Sequence, residues 1–509
     1  MAYFTYGAIV VGSQEISLKI YEISSKIEIR QIDYVTQYLD ISKASYVHGK
    51  LSVEQIDAIC ATLMKFKDKL LEYNVKEVEC KATSAIRRIK NRELVIHQIK
   101  LRTGFDIQVP SNSEMRLMMY KGIALKEEFN TIIQKNTAIL DIGANTVQIS
   151  LYDKNVLNVT QNIRIGALQT QNALSSVEKS SLEYAAIMEE YINYEINTFK
   201  SIYLKDKAIK NVIVMGDSSL TWSKIAPELN ITDYLTSEQV DYIYKKLRRA
   251  TSKQLAIEYG ISYEASRLLI PSIIIYKIFL SQSKAEMIWL TKTNLCDGMA
   301  VDFAERSGKI KPLHDFEQDI VAAAKNMAKR YRYNKNHTAF VTEVALQVFD
   351  RMKKFHGLGK RERLLLQLAC LLHECGKFVN MDEPGVNGYQ IIMSTEIIGL
   401  SHKERKLLAL IVYHNTMELP PYDDMNAYET EDYLLVAKLA AILRLANVLD
   451  RSHRQKLAGC SVVRKGQELI ITGQSDADVT LEASLFKAKA DFFEEIYGVR
   501  PVLKQKRGF

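Results

Sequence analysis

A chain of 509 residues is too long for one ordinary hydrophobic core, so about three or four domains are expected. Hydrophobic residues make up 47% and charged residues 25%, while glycine (22) and proline (8) are scarce, which excludes a collagen-like, linker-dominated or mostly disordered chain. The net charge of +8 suits a protein that binds anions, but over this length it is too dilute to argue for nucleic acid.

In chain order, Tyr6 to Val11 reads as a strand, Gly12-Ser13-Gln14-Glu15 as a turn, and Ile16, Leu18 and Ile20 as a returning strand, which together make a β-hairpin. Ile27 to Val35 is predicted as a third strand. Helical spacing of Ile56, Ile59, Leu63, Phe66 and Leu70 predicts a helix over Val53 to Tyr73. A short strand follows over Val75 to Cys80 and a helix over Ser84 to Leu101. The stretch 138–151 repeats the strand, glycine turn, strand order. With Gly143 placed on Gly12, Ile142 matches Val11, Val147 matches Ile16, Ile149 matches Leu18 and Leu151 matches Ile20. A coincidental pair of hairpins is the alternative, but the matched turn glycine and four matched apolar positions favour a duplicated α/β unit with a cleft between its halves.

The pattern then changes twice. Helical periodicity dominates from Phe316 to Leu449. Beyond it, Ser461 to Val463, Glu468 to Thr472 and Val479 to Leu481 read as strands and Leu485 to Tyr497 as a helix. Boundaries near 130, 305 and 455 give segments 1–130, 131–305, 306–455 and 456–509. The longest apolar run, Leu268 to Tyr276, is too short to span a membrane and carries Pro271. Met1 to Val10 has no basic stretch before an apolar one, so no signal peptide is expected. Cys60, Cys80, Cys296, Cys370, Cys375 and Cys460 form no CxxC, and free thiols in a reducing cytoplasm are expected.

A glycine turn between strands brings backbone N–H groups close to an anion and has no side chain to block it. One such turn is usually only a turn. Two facing turns could grip a phosphate chain, with Asp141 at a strand end holding Mg²⁺ through water.

These residues carry a resemblance. Ala82-Thr-Ser-Ala-Ile-Arg87, Asn91-Arg-Glu93, Thr103-Gly104, Glu114 with Arg116-Leu117, Asp141-Ile-Gly143 and Arg164-Ile-Gly166-Ala167 resemble the exopolyphosphatase/guanosine pentaphosphate phosphohydrolase family of the actin-like ATPase superfamily. Leu371-Leu-His-Glu-Cys-Gly376, Gly399-Leu400-Ser401, Tyr413-His414 and Leu443-Arg444 extend it through the helical segment. The resemblance implies an α/β fold of duplicated actin-like (ribonuclease H-like) domains, then an all-α HD-like domain and a small α+β C-terminal domain. It also implies Mg²⁺-assisted water attack on a terminal phosphoryl group of polyphosphate or of guanosine penta- or tetraphosphate. A homodimer is implied as well, with no membrane partner, and nothing in the sequence speaks for nucleic acid beyond its basic runs. Residue by residue, Glu114 takes the place of the catalytic glutamate and Asp141 that of the metal-associated aspartate. Gly12, Ser13, Arg87, Gly143, Asn145, Thr146 and Ser218 fall where the family contacts substrate phosphate. Without the resemblance, Glu114 and Arg87 would read as ordinary helix-surface residues.

The departures cluster in the loops. Where the family has Asp-x-Gly-Ser-Asn-Ser and then arginine, this chain has Val10-Val11-Gly12-Ser13-Gln14-Glu15 and then Ser17. Glu15 puts a negative charge near the phosphate path, and like charges at ~4 Å cost roughly 1 kcal/mol even in water. The second loop, Asp-x-Gly-Gly-Gly-Ser-Thr-Glu in the family, is Asp141 to Gln148 here and loses two glycines, a hydroxyl and a carboxylate. The third, Ser-Gly-Thr, becomes Ser218-Ser219-Leu220. Weak or absent polyphosphatase activity is therefore expected, with polyphosphate or alarmone binding retained; the alternative is a non-catalytic binding or sensor protein. A sugar or acid kinase of the same superfamily ranks third, because the altered loops spoil an adenosine site.

In the helical segment, His337, His373-Glu374, His414 and Asp450 follow the order of an HD-type metal phosphohydrolase, in which His and carboxylates bind a divalent ion. Glu374 stands where such proteins have aspartate, and Gly385 to Tyr389 replaces a second histidine cluster. A packing role for these groups is expected ahead of a working metal site. The basic runs Lys325-Lys329-Arg330-Arg332-Lys335 and Lys353-Lys354-Lys360-Arg361-Arg363 read as solvated helix faces, or, through the resemblance, as part of a polyanion path. Tyr331 and Tyr333 among them keep RNA in view as an alternative ligand.

Overall fold

The computed structural model describes residues 3–506 apart from 14, 25–28, 40, 42–47, 127, 144–145, 175–183, 205–207, 216–217, 262 and 425–428. It divides into two compact units, Met1–Asp319 and Ile320–Phe509.

In the first unit, β1 (Phe4–Val11) and β2 (Glu15–Ile23) form the expected hairpin, with Val11 opposite Ile16. β3 (Ile29–Tyr38) pairs antiparallel with β2; β4 (Glu77–Ala82) joins β1 in parallel and β5 (Ile107–Gln108) joins β4. The order is β3-β2-β1-β4-β5. A second sheet holds β6 (Thr137–Ile142), β7 (Val147–Asp153), β8 (Val156–Ile163), β9 (Asn211–Val214), β10 (Tyr234–Thr236) and β11 (Met287–Leu290). Its run β8-β7-β6-β9-β11 repeats the first sheet strand for strand, with the same parallel and antiparallel senses, and β10 adds an antiparallel edge. The two turns repeat as well. Gly12 N–H donates to the Glu15 carbonyl at 2.9 Å and Gly143 N–H to the Thr146 carbonyl at 3.0 Å. A Cβ at Gly12 would stand 2.8 Å from that Glu15 oxygen, so the turn needs glycine for space.

β1 is buried on both faces, which explains its unbroken apolar run. Ile9 and Val11 pack with Leu63, Phe66 and Ile99 on one side; Ala8 and Val10 pack with Met299, Ala300 and Ala304 on the other. The second sheet packs against the helix Tyr263–Gln282, which accommodates Pro271 inside its length. At the end of this unit, Asp319 is 1% exposed. One of its carboxylate oxygens accepts the Leu157 N–H at 3.0 Å; the other accepts the Tyr152 hydroxyl at 3.0 Å and lies 2.8 Å from His314 Nε2.

The second unit is helical from its start to Val448, with Lys335–His356, Lys360–Leu372, Pro384–Ser394, His402–Tyr413 and Thr430–Val448 as its longer helices. Thr430–Val448 is buried on nearly every side from Val436 onward, which explains its apolar sequence. A small sheet follows: β12 (Ser461–Lys465), β13 (Glu468–Gln474) and β14 (Arg500–Lys506), with β13 antiparallel to β12 and parallel to β14.

Several expectations need correction. The helix predicted over Ser84 to Leu101 is two helices, Ser84–Arg87 and Arg92–Thr103. Between them the Asn91 amide bonds the Leu51 N–H and carbonyl, a tertiary contact that outweighs local propensity. The strand predicted over Val75 to Cys80 starts two residues later, at Glu77. The third strand runs Ile29–Tyr38, and residues 27 and 28 lie outside the described residues. Val479 to Leu481 is no strand: the helix Thr480–Tyr497 starts there, with Asp478 accepting the Thr480 N–H at 2.9 Å, and the missing strand is β14. All six cysteines are buried, and no two of them are joined by a disulfide.

Candidate functional site

A cavity of about 320 Å³ opens in the first unit where the two hairpin turns meet. Ser13 lines it from the first turn and Gly143 and Thr146 from the second. Thr83, Ser84 and Arg88 line it from the loop and short helix after β4; Asn112, Met115, Arg116 and Met119 from the helix Asn112–Ala124; Asn294 and Leu295 from the start of the helix Leu295–Arg306. Its floor carries Asp141 and Gln148. These two are cross-strand partners on β6 and β7, so their side chains leave the sheet on the same face.

Local packing fixes these groups. The helices Asn112–Ala124 and Leu295–Arg306 approach closely through Gly122 and Gly298; a Cβ on Gly298 would stand 2.2 Å from the Met118 carbonyl oxygen. Lys121 ties them by ion pairs to Asp302 (2.8 Å) and Glu305 (2.6 Å). Asp297 accepts from Lys19 at 2.9 Å and from the Tyr21 hydroxyl at 2.7 Å, which binds the start of the second helix to β2. Arg116 is thereby held buried beside the cavity. Burial pushes the Asp141 carboxyl above its usual range, and the Arg116 guanidinium opposes that rise.

The sequence-predicted residues distribute as follows. Ser13, Asp141, Gly143 and Thr146 come together on the cavity. Gly12 makes the first turn. Arg87 donates to the Pro110 carbonyl at 2.8 Å, and it is the next residue, Arg88, that lines the cavity. Glu114 is the third residue of its helix and closes a capping box: its carboxylate accepts the Ser111 N–H at 2.7 Å, and the Ser111 hydroxyl accepts the Glu114 N–H at 3.2 Å. Ser218 opens the helix Ser218–Ile225. Asn145 lies outside the described residues, and Glu15 is exposed. Arg88, Gln148 and Asn294 were not singled out as candidates. Gln148 stood out in sequence only as a lost carboxylate.

In the second unit, His337, His373, Glu374 and Asp450 also come together. His337 Nδ1 lies 2.9 Å from Asp450, both groups fully buried, and Asp450 accepts two further bonds from Gln455. His373 Nδ1 donates to the Cys370 carbonyl at 2.7 Å, leaving its Nε2 3.3 Å from His337 Nε2. His337 Nε2 also lies 3.1 Å from the side-chain amide oxygen of Asn447. Glu374 pairs with Lys377 at 2.5 Å. Burial drives His373 down to about 4; Glu374, which burial alone would raise, is held below its usual value by Lys377 and His373. His453, which sequence reasoning did not select, stacks on His337 at 3.8 Å from a left-handed turn (φ 56). Ligand atoms of His337, Glu374 and His453 lie within 4.8 Å of one another. His414 stands apart in role, with Nδ1 on the Glu418 carbonyl at 2.9 Å and its own carbonyl accepting from Arg444. Of the basic runs, Arg361 and Arg363 are tied to Glu404 and Asp350, while Lys325, Lys329 and Lys335 are exposed.

Known proteins match this architecture. The sequence profile of the Ppx/GppA phosphatase family matches residues 20–307, and that of Ppx/GppA phosphatase domain III matches residues 321–489. The chain belongs to the Ppx/GppA phosphatase family. The guanosine-5'-triphosphate,3'-diphosphate pyrophosphatase of Photobacterium profundum is 19% identical over 469 residues, covering 89% of this chain and 88% of that protein. A crystal structure of the Aquifex aeolicus family member aligns with TM-score 0.51 at 16% identity, over 60% of this chain and 99% of its own. An exopolyphosphatase from Cytophaga hutchinsonii aligns with TM-score 0.50 at 17% identity, over 60% of this chain and 98% of its own. At such identities the structures establish the fold, the actin-like Ppx/GppA core. No helix among the described residues is long and apolar enough to cross a membrane.

Proposed function

We propose that the cleft of the first unit binds the terminal phosphoryl groups of inorganic polyphosphate or of guanosine penta- or tetraphosphate. Phosphoanhydride hydrolysis there is much slower than in an ordinary exopolyphosphatase. The observation that carries this reading is a cavity on which two equivalent hairpin turns, a set of hydroxyls and two arginines converge. Ser13, Thr83, Ser84 and Thr146 supply donors to phosphate oxygens, and Arg88 and Arg116 supply the compensating charge. Homodimer formation and a cytoplasmic location belong to the same proposal and rest on the family resemblance alone.

Hydrolysis needs a carboxylate that takes a proton from the attacking water. Glu114 holds the family position for it, but its carboxylate caps its own helix and is not among the cavity-lining residues. That hydrogen bond takes up one carboxylate oxygen, and to act the group must present the other to the cavity. This commitment supports slow chemistry, and it equally favours the second reading, a binding or sensor protein without catalysis. Mg²⁺ is the ion that the resemblance assigns to Asp141. The donor set fits it poorly: Asp141 is the single carboxylate among the lining residues, it is shifted toward its protonated form by burial, and it shares the cavity with two guanidiniums.

A phosphate-release assay on polyphosphate and on guanosine pentaphosphate tests the reading, with Glu114→Gln as control. Release at ordinary enzyme rates, abolished by that substitution, would overturn slow hydrolysis. Thermal stabilisation by either compound with no release would favour the binding reading.

A further inference from the structure

We infer that the cleft holds its phosphate ligand by direct contact, with no divalent cation between ligand and protein, and that Gln148 makes this possible by donating to a phosphate oxygen. This rests on the reading that the cleft is the phosphate site. The first observation is the state of the Gln148 amide. The residue is 2% exposed and borders the cavity, and neither its nitrogen nor its oxygen has a hydrogen-bond partner among the described residues. An unpaired buried amide costs about 1–3 kcal/mol, so a leucine there would give a more stable empty fold. The amide is explained by something that enters the cavity and completes its bonds.

The second observation is its neighbour. Gln148 stands directly across the β6–β7 ladder from Asp141. A glutamate at 148 would place two carboxylates side by side, an arrangement that repels anions and attracts a divalent cation. The amide removes one of those charges and replaces it with two N–H donors. The third observation is the charge balance. Arg88 and Arg116 outnumber the lone carboxylate of Asp141 among the lining residues. A divalent cation there would meet two guanidiniums, whereas a phosphoryl group meets complementary charge. The turn glycines do not supply the missing donors, because Gly12 and Gly143 N–H already close their own turns. The lining side chains carry N–H and O–H donors of their own. The ligand class is the end of a linear phosphoanhydride chain, which carries its charge on small oxygens within reach of Gln148 and both arginines.

The test is calorimetric titration of the full chain with sodium tripolyphosphate, once in EDTA and once in excess Mg²⁺. The parent protein is expected to bind in EDTA. Mg²⁺ should leave the affinity unchanged or weaken it, since it lowers the charge of the titrant. Gln148→Glu should lose about ten- to a hundredfold in EDTA, the worth of a hydrogen bond to a charged group, and recover with Mg²⁺. Gln148→Met, which keeps the volume and removes the donors, should lose affinity in both buffers while melting no lower than the parent. Binding by the parent only with Mg²⁺ would overturn direct contact and leave the cleft as the phosphate site. Unchanged binding by both variants would assign the ligand to another surface and overturn the role of Gln148. No binding in either buffer would remove this inference and the functional reading together.

Discussion

The two units each gather polar groups at one place, and they treat them in opposite ways. In the cleft of the first unit a buried amide, Gln148, has no partner for either end among the described residues and borders a cavity. In the second unit His337, Asp450, His373 and Glu374 answer one another, with Gln455, Asn447 and Lys377 taking up the remaining valences. One arrangement holds hydrogen-bonding capacity in reserve. The other has spent it on the fold. The family ancestry of both segments is equally clear, so resemblance alone does not say which one still meets a ligand.

The contrast can be broken by substitution, and the two tryptophans help to read it, because Trp222 and Trp289 both lie in the first unit. Tryptophan fluorescence then follows that unit, while far-ultraviolet circular dichroism follows both. The largest effect is expected at Asp450→Ala, which strands a buried imidazole and should cost about 3–5 kcal/mol in the second unit. Urea unfolding should show an early dichroism transition with the fluorescence transition unmoved. Next is Gly298→Val. Overpacking at the Met118 carbonyl should cost at least about 1–3 kcal/mol, this time in fluorescence, and should abolish ligand-induced stabilisation of the cleft.

Polar-to-apolar exchange should then differ in sign between the units. Asn447→Leu removes the partner of His337 and should destabilise by about 1–3 kcal/mol, whereas Gln148→Leu relieves an unpaired amide and should stabilise by about 1 kcal/mol. Equal signs would erase the distinction drawn between the two clusters. The pH dependence should be opposed as well. Asp141 has its folded value raised, so its contribution is present in acid and lost as pH rises through that raised value; Asp141→Asn should gain on the parent toward neutral pH. Asp450 has its folded value lowered, chiefly by His337 and Gln455 against the pull of burial. Its contribution is therefore present at neutral pH and lost as pH falls through that lowered value, and the deficit of Asp450→Asn should shrink in acid. The smallest effect is expected from EDTA, which should leave the second unit's melting curve where it was, with no stoichiometric transition metal in elemental analysis. Loss of stability on chelation would mean that His337, Glu374 and His453 hold an ion.

The duplicated hairpins were legible in sequence because a turn glycine and the matched apolar positions on either side of it survive without help from the rest of the chain; the structure adds the register, Val11 opposite Ile16 and Ile142 opposite Val147. Contacts made across the fold were not legible. Asn91 splits a helix by reaching back to Leu51, and Val479 to Leu481 carries strand-like residues into a helix start. In the cleft, the sequence located the turns and Asp141 but could not tell Arg87 from Arg88, since one helical step decides which of them faces the cavity. His453 was invisible because a left-handed turn, not a periodic element, returns it onto His337.

Asp319 bears on where the first unit ends. The family profile for this unit stops at residue 307, yet the carboxylate that answers the Leu157 N–H and the Tyr152 hydroxyl sits twelve positions further on. A gene fragment stopped at 307 would strip those donors of their acceptor, at the start of β8 and at the end of β7 away from Gln148. A fragment carried past Asp319 keeps the clasp. For anyone expressing the first unit alone, that short tail decides whether a failed binding assay reports on the cleft or on a frayed sheet.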